Sequence, residues 1–413
     1  MLRNSSSRAV SGEGEEMRKG GNMSSRDFPE DVLMEILARL PVKSLMRFKC
    51  VSKSFYALIT KPCFITKHLT SHNPHRGAIL RRGKGSERPR FLSPPNETQE
   101  LEVHVSYRPR LSRLSNETLE LSEDVDLSQL FQDEVSGVQM LGPCNGILCL
   151  AGSLKMTKDG DLQPGYEMVL WNPATRESKM LPPMDMPTST FTSNFGFGFD
   201  PKTNDYKVIR ILNFDFRQCK VEVYSLGTNS WRVIDSSPDP SLFIKLPRFP
   251  SCLNGVHYWW ACEDYYDEGP RHFIAFDMSN EVFQELLPPP RRGFYLEDIA
   301  VFNDSVTLIL PSGNIGESWI EIWVWNESGV ESTWTPGFAI RRIHPYWRLI
   351  QLREDDSAVL TDEDNYLVLR HYGTEETRNL QIVEAGFSQL VTYTESLTLL
   401  NGSGNALEQQ ATS

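Results

Sequence analysis

The chain has 413 residues, with 54 acidic against 42 basic side chains, a formal charge of −12 and a pI near 5.3. This excess of acid argues against nucleic acid or an anionic membrane as a general partner and favours contacts with other proteins. The seven cysteines are odd in number and have no paired spacing, which argues against a disulfide framework and predicts a reducing compartment, the cytoplasm or the nucleus.

The first 25 residues are rich in Ser, Gly and Glu, and this composition predicts a disordered N-terminal segment over 1–25. The segment lacks the apolar core of a secretory signal, and no apolar run approaches the roughly 18 residues of a membrane helix. Met23 is a second candidate start of the protein.

Residues 28–59 show the spacing of short amphipathic helices. Pro29 suits the first turn of a helix, and Pro41 lacks the amide that a further turn would need, so the first helix should end at about Leu40. Its apolar residues fall at i, i+3, i+4 and i+7, namely Leu33, Ile36, Leu37 and Leu40.

Two more short helices follow the first. The second carries Val42, Leu45 and Phe48, and the third carries Val51, Phe55, Leu58 and Ile59. A unit of about 40 residues rarely buries enough apolar surface to fold unaided, so these side chains should be covered by another surface. That surface is either a partner protein or the rest of this chain.

The order and spacing of these residues resemble an F-box, over residues 26–70. The resemblance implies docking of the three helices on a Skp-type adaptor, which joins a cullin and a RING protein into a ubiquitin ligase. Phe28 stands where the family usually has Leu, and Phe55 where it often has Trp; both keep a large apolar group. The residues that the resemblance assigns to the adaptor are Phe28, Pro29, Ile36, Leu37, Leu40, Pro41, Leu45, Cys50, Val51 and Phe55.

After the helices, short apolar and aromatic runs recur between Gly, Pro, Asn and Asp, as in all-β proteins. Equivalent strand ends lie 44 to 53 residues apart, at Trp171, Tyr224, Phe276, Trp325 and Leu369. A four-stranded unit repeated at about 50 residues predicts a kelch-like β-propeller. We expect roughly six blades, with residues 71–139 as a linker and divergent first blade and residues 386–400 as the strand that closes the ring.

The region also resembles the plant F-box-associated domain, which we place at 140–402, with a disordered tail over 403–413. The matching words include CNGILCL, WNPATRE, GFGFDPKTNDYKVIRI, VEVYSLGTNSWR, NGVHYWWA and FIAFDMSNEVF. The tandem glycines of a true kelch blade are missing. The ending VTYTESLTLL is most similar to the S-locus F-box group, whose partners are pistil ribonucleases.

Candidate catalytic patterns have structural explanations, so we predict no catalytic residue, no metal and no cofactor. Gly196 and Gly198 lack the third glycine of a dinucleotide fingerprint, and close backbone packing explains them. Cys144 and Cys149 have no histidine nearby to complete a zinc site. His257 lies in a strand and is expected to be a hydrogen-bonded structural residue.

Acidic segments fall between predicted strands, on loops where propellers usually bind partners. Solvated charge is the default interpretation, and a basic protein target is the alternative. The strongest candidate combines tyrosines with carboxylates, at Glu263, Asp264, Tyr265, Tyr266, Asp267 and Glu268.

Together these features predict a small all-α F-box of three short helices followed by an all-β kelch-like propeller. Such a chain would be the substrate-recognition subunit of an SCF-type ubiquitin ligase, with an unidentified protein as its target. The alternatives are an S-locus F-box-like receptor for pistil ribonucleases and a propeller enzyme or lectin-like protein without a ligase role.

Overall fold

A computed structural model describes residues 29–71, 75–82, 109–154, 165–184, 192–215, 218–263, 271–286, 298–314, 317–328, 331–344, 347–383 and 388–401. The predicted N-terminal segment over 1–25 and the predicted tail over 403–413 lie outside these residues. The described chain forms four short helices followed by a six-bladed β-propeller.

The N-terminal region has one helix more than the three predicted. Pro62 occupies the first turn of the additional helix, where its missing amide costs nothing, and Phe64 and His68 are its buried residues. One of these two positions is polar, so they do not continue the spacing of apolar residues that indicated the first three helices. The helices are α1 (Glu30–Leu37), α2 (Val42–Lys49), α3 (Lys53–Ile59) and α4 (Pro62–Leu69).

The first three blades are antiparallel four-stranded sheets. The first blade contains β1 (Arg76–Arg82), β2 (Arg110–Ser115), β3 (Leu121–Val125) and a fourth strand from later in the chain, described below. The second contains β4 (Val135–Cys144), β5 (Ile147–Leu154), β6 (Tyr166–Asn172) and β7 (Glu177–Met180). The third contains β8 (Thr192–Asp200), β9 (Asp205–Asp215), β10 (Gln218–Ser225) and β11 (Ser230–Ile234).

The last three blades follow the same antiparallel plan, although the innermost strand of the fourth is split in two. The fourth contains β12 (Phe243–Lys245), β13 (Cys252–Leu253), β14 (Val256–Cys262), β15 (Arg271–Asp277) and β16 (Val282–Leu286). The fifth contains β17 (Asp298–Phe302), β18 (Ser305–Asn314), β19 (Glu317–Ser328) and β20 (Glu331–Arg342). The sixth contains β21 (Arg348–Leu352), β22 (Ser357–Thr361), β23 (Tyr366–His371) and β24 (Thr377–Val383).

The last strand closes the ring, as predicted. β25 (Gln389–Thr394) pairs antiparallel with β1 and becomes the innermost strand of the first blade. Ile79 lies opposite Val391, and both are fully buried. Apolar clusters fill all six interfaces between neighbouring blades, so packing as well as hydrogen bonding holds the ring closed.

Each turn from an innermost strand to its neighbour uses Asn or Asp in the left-handed backbone region. Asn145, Asn204, Asn254 and Asn303 have φ values between 48° and 53°, and Asp356 has φ 55° in the sixth blade. Asn and Asp tolerate this region and favour tight hairpins. The sequence therefore marks the same hairpin in five successive blades.

Asn172, in the WNPATRE word, fastens the chain beyond β25 to the second blade. Its buried Nδ2 donates to the carbonyls of Ser396 and Thr398 at 2.9 and 3.0 Å. Its Oδ1 accepts from the amides of Ala174 and Thr175 and so also shapes the turn after β6. One side chain thus satisfies four backbone groups.

We expect Asn172→Ala to lower the free energy of unfolding by about 3 kcal/mol, because it leaves buried carbonyl and amide groups unpaired. Asn326 is exposed and donates to Thr335 across a hairpin at 2.6 Å, so Asn326→Ala is a matched control with an effect within about 0.5 kcal/mol. Urea unfolding of both variants measures the difference. Equal effects would show that Asn172 is no anchor.

A buried ion cluster joins the third and fourth blades. Lys207 Nζ lies 2.7 Å from Asp200 Oδ2 and 2.8 Å from Glu281 Oε1, and it donates to the carbonyl of Met278. Burial by itself would raise the pKa of Asp200, but hydrogen bonds from Lys207, Ser279 and Thr203 outweigh it and hold that pKa well below its usual range. The GFGFDPKTNDYK word therefore encodes a contact between blades.

Lys207→Met should destabilise the propeller at pH 7 by about 3 kcal/mol, because the buried Asp200 carboxylate loses its ion-pair partner, whereas Glu281 keeps its pair with Arg232. The folded-state pKa of Asp200 is depressed, so its contribution is present above pH about 4 and is lost as the pH falls below that value. The gap in melting temperature between wild type and variant should therefore shrink below pH about 4. A gap that stays constant with pH would contradict this assignment.

Candidate functional site

The four helices share one apolar cluster with the segment that follows β25. Its buried members on the helices are Leu37, Ala38, Val42, Leu45, Leu58, Ile59 and Phe64, and Leu397 joins them from beyond β25. Leu45, Phe64 and Leu397 are all fully buried. This interdomain cluster means that the propeller covers part of the apolar surface that the helices cannot bury alone.

Hydrogen bonds fix the helices against the propeller at the turn between α1 and α2. Pro41 offers no side-chain cap to α2, and Glu395 Oε2 accepts from the amide of Val42 at 3.0 Å instead. His75 Nε2 contacts the carbonyl of Arg39 at 3.0 Å. Residues on both sides of the ring closure therefore hold this turn.

His68 adds a buried contact within the helices. Its Nε2 lies 3.0 Å from the carbonyl of Leu40 and, as an N–H, donates to it. Burial lowers the pKa of His68, so the imidazole is neutral at neutral pH. The contact joins α4 to the end of α1 and supports the same turn.

Large apolar side chains are exposed on the helices. Val32 and Ile36, one turn apart on α1, are 42% and 50% exposed, whereas Val51 and Tyr56 are 69% and 57% exposed. Such exposure is costly in water and typical of surfaces that bind another protein. We call Val32, Ile36, Val51 and Tyr56 the exposed apolar set.

The structure divides the residues assigned to adaptor binding by sequence. Pro29, Ile36, Cys50 and Val51 are exposed, and Leu40, Pro41 and Phe55 are half-buried. Leu37 and Leu45 are 3% and 0% exposed within the interdomain cluster, so their side chains support the packing of the helices. Phe28 lies outside the described residues. Adaptor contact by each residue stays a prediction.

Two members of the exposed apolar set were missed by the sequence prediction. Val32 precedes the i, i+3, i+4 series of α1, and Tyr56 lies beside Phe55 on α3. The signal that could have found them is the surplus of apolar residues. A helix seven or eight residues long with apolar groups on more than one side has more than one surface to cover.

A polar network joins innermost strands near the axis of the propeller. Gln389 on β25 donates to the carbonyls of Met140 and Arg248 at 3.2 and 3.3 Å and accepts from the amide of Met140. Arg248 Nε pairs with Asp298 at 2.9 Å, and burial raises the pKa of that carboxyl despite the pair. This axial network joins the first, second, fourth and fifth blades.

The motifs considered for catalysis have structural roles. A Cβ at Gly196 would lie 2.5 Å from the ring of Trp259, which confirms close packing as the reason for glycine. His257 is buried and contacts Ser251 Oγ at 3.2 Å, as expected of a structural histidine. Burial raises the pKa of the Cys149 thiol. Among the described residues, no group of three metal-binding side chains occurs and no helix is long and apolar enough to cross a membrane.

Comparison with known proteins agrees with this architecture. The family model of the F-box associated beta propeller domain matches residues 100–398, and that of the F-box domain matches residues 26–67. The chain belongs to the F-box-associated β-propeller family. Asn172 and the Asp200–Lys207 pair described above lie within the residues that this family model matches.

Three relatives from Arabidopsis thaliana match most of the chain. An F-box/kelch-repeat protein is 27% identical over 78% of this chain and 83% of its own length. The F-box protein CPR1 is 26% identical over 82% of this chain and 80% of its own length. F-box/WD-40 repeat-containing protein 1 is 26% identical over 76% of this chain and 69% of its own length.

Glu263 is the one residue of the predicted target-binding loop that lies within the described part of the chain. It follows β14, at the opposite end of that strand from the turn at Gly255, and its carboxylate lies 3.2 Å from His272 Nε2. His272 Nδ1 contacts Glu285 at 2.5 Å, so both ring nitrogens have carboxylate partners. Asp264, Tyr265, Tyr266, Asp267 and Glu268 lie outside the described residues, and target binding by this loop stays a prediction.

Truncating a buried residue of the helices should cost much more stability than truncating an exposed one. Leu45→Ala should cost about 3 kcal/mol and raise hydrogen exchange of the α2 amides, because it opens a cavity in the interdomain cluster. Val51→Ala should change stability by less than about 0.5 kcal/mol, because Val51 is 69% exposed. Similar exchange in both variants would contradict the division into buried and exposed sets.

Proposed function

We propose that the chain is the non-catalytic substrate-recognition subunit of an SCF-type ubiquitin ligase. The helices would dock on a Skp-type adaptor, and through it on cullin and RING subunits, while the propeller binds a protein marked for ubiquitination and proteasomal degradation. The observation that carries the proposal is the exposed apolar set on helices whose other side is fixed to the propeller. The F-box family match and the F-box relatives support the same assignment.

The adaptor would be bound by helix packing. Val32 and Ile36 present a short apolar ridge on α1, and Val51 and Tyr56 add apolar groups at the α2–α3 turn and on α3. A few such anchors usually dominate the affinity of an interface. The charged residues between them, such as Glu35 and Lys53, would set the orientation more than the strength of binding.

The contribution of the chain to ubiquitination would be effective concentration. A target held on the propeller meets the ubiquitin-charged enzyme as an intramolecular partner, without any bond made or broken by this chain. Rigid attachment matters for this role because it keeps the target within a limited volume. The Val42–Glu395 bond and the interdomain cluster provide that attachment.

The target would be a protein with basic surface, bound by loops that include Glu263. The charge of −12 and the acid-rich loops support this class of target. The odd number and unpaired spacing of the seven cysteines favour a reducing compartment, and the ligase would therefore act in the cytoplasm or the nucleus.

Ile36→Asp and Val51→Asp should each reduce adaptor co-purification at least about tenfold, because each places a charge at a desolvated contact. Both positions are exposed in the free chain, so the melting temperature should stay within a few degrees of wild type. Val233→Asp, on the outer strand β11 and 57% exposed, is the matched control and should co-purify normally. Undiminished co-purification of both helix variants would refute the docking surface.

A further inference from the structure

A cavity of about 530 Å³ lies at the axis of the ring, on the face that carries the helices. Residues at the turns of the fifth and sixth blades, Asn303 and Asp355, line it together with Thr394 at the end of β25. The next residue, Glu395, caps α2, which places the cavity beside the helix attachment. Its volume falls in the range of small-molecule sites and not of extended protein interfaces.

Part of the cavity wall is apolar and the rest is polar. Phe249, Pro250, Pro143, Ala300 and Leu390 contribute to its walls. Phe249 and Leu390 directly follow Arg248 and Gln389, whose contact belongs to the axial network. The cavity is therefore a pocket that ends at this network, with flat ring surfaces suited to an aromatic group.

One wall of the pocket carries an ordered chain of hydrogen bonds. Gln351 Nε2 donates to Thr392 Oγ1 at 2.8 Å, and the Thr392 hydroxyl donates to Asn116 Oδ1 at 3.1 Å. The Thr392 hydroxyl has one proton, which it donates to Asn116. The amide nitrogen of Gln351 therefore faces Thr392, and Gln351 Oε1 is left as an acceptor. That atom has no hydrogen-bond partner among the described residues, although Gln351 is only 7% exposed.

The position of Gln351 is itself irregular. The pairing of β21 with β22 shifts register between Leu349 and Gln351. Such bulges re-aim a side chain and are frequent beside binding sites. A buried acceptor without a partner is costly, and a donor brought by a ligand would remove that cost.

The charged groups at the pocket are already neutralised by each other. Arg76 Nη1 lies 2.7 Å from Glu354 Oε2, and Arg353 Nη2 lies 3.1 Å from Asp355 Oδ2. Arg353 also donates to the carbonyl of Asn116 at 3.0 Å. Since neither guanidinium is left for an anion, the pocket favours a ligand without charge.

We propose that this axial pocket binds a neutral small molecule that combines a fused aromatic ring with an N–H donor. The ring lies between Phe249, Pro250 and Pro143, and the N–H donates to Gln351 Oε1 after a small rotation of that side chain. The site is independent of adaptor docking, because none of its residues belongs to the exposed apolar set.

The test titrates the purified full-length chain with 2-naphthamide and follows binding by saturation-transfer NMR. A ligand of this size with ordinary efficiency should bind with a Kd of about 1 mM. N,N-dimethyl-2-naphthamide lacks the donor and should bind about fivefold more weakly. The carboxylate 2-naphthoate lacks the donor and carries a charge, so it should bind about tenfold more weakly or not at all.

Two variants locate the site and a third is the control. Val301, half-buried at the pocket, allows Val301→Trp to fill it, which should abolish 2-naphthamide binding. Gln351→Met keeps the volume and removes the acceptor, so the amide and the dimethylamide should then bind equally. Val233→Trp introduces the same ring on the outer strand β11 and should leave binding unchanged.

Three results would overturn the proposal. Equal binding of 2-naphthamide and 2-naphthoate to the wild-type chain would remove the chemical selectivity. Unchanged binding to Val301→Trp, with a wild-type melting temperature, would place the compound on another surface. A preference for the amide that persists in Gln351→Met would show that Gln351 does not accept its proton.

Discussion

The pairing of β25 with β1 is the interaction on which the rest of the structure depends. It completes the first blade and closes the ring of six blades. It also delivers the residues that follow it to defined places: Glu395 to the start of α2, Ser396 to Asn172, and Leu397 to the interdomain cluster. Closure of the propeller and attachment of the helices are therefore one structural event.

The helices owe their proposed role to incomplete burial. The interdomain cluster, to which Leu397 contributes, buries Leu37, Leu45 and Phe64 and leaves Val32, Ile36, Val51 and Tyr56 in solvent. The first group gives the helices a fixed position, and the second leaves apolar surface that the proposed adaptor would cover. If all of these side chains were buried, the helices would have no apolar surface for the proposed adaptor. If all were exposed, the helices would have no fixed position.

Much of the fold could be predicted from the sequence, because repetition and alternation are local properties. The repeat of about 50 residues, the divergent first blade and the closing strand all follow from the spacing of aromatic strand ends. The fourth helix was missed because one of its two buried positions is the polar His68, so the spacing of apolar residues that indicated the other helices does not continue there. The Asn and Asp residues of five hairpin turns are also visible in the sequence, but the prediction of the blades did not depend on them.

The site was harder to predict than the fold. Spacing shows that Ile36, Leu37 and Leu45 are apolar, but it cannot show whether this chain or a partner covers them. That distinction depends on Leu397, which lies far away in sequence and reaches the helices only through the closed ring. The axial pocket depends likewise on Gln351, Thr392 and Asn116, which come from three separate segments.

The cap that Glu395 places on Val42 spans 353 positions of the chain. During synthesis the helices emerge long before the capping residue, since translation runs from the N-terminus. Until β25 and the residues after it leave the ribosome, Glu395 and Leu397 cannot contact the helices. Products truncated before β25 therefore lack the attachment of the helices to the propeller.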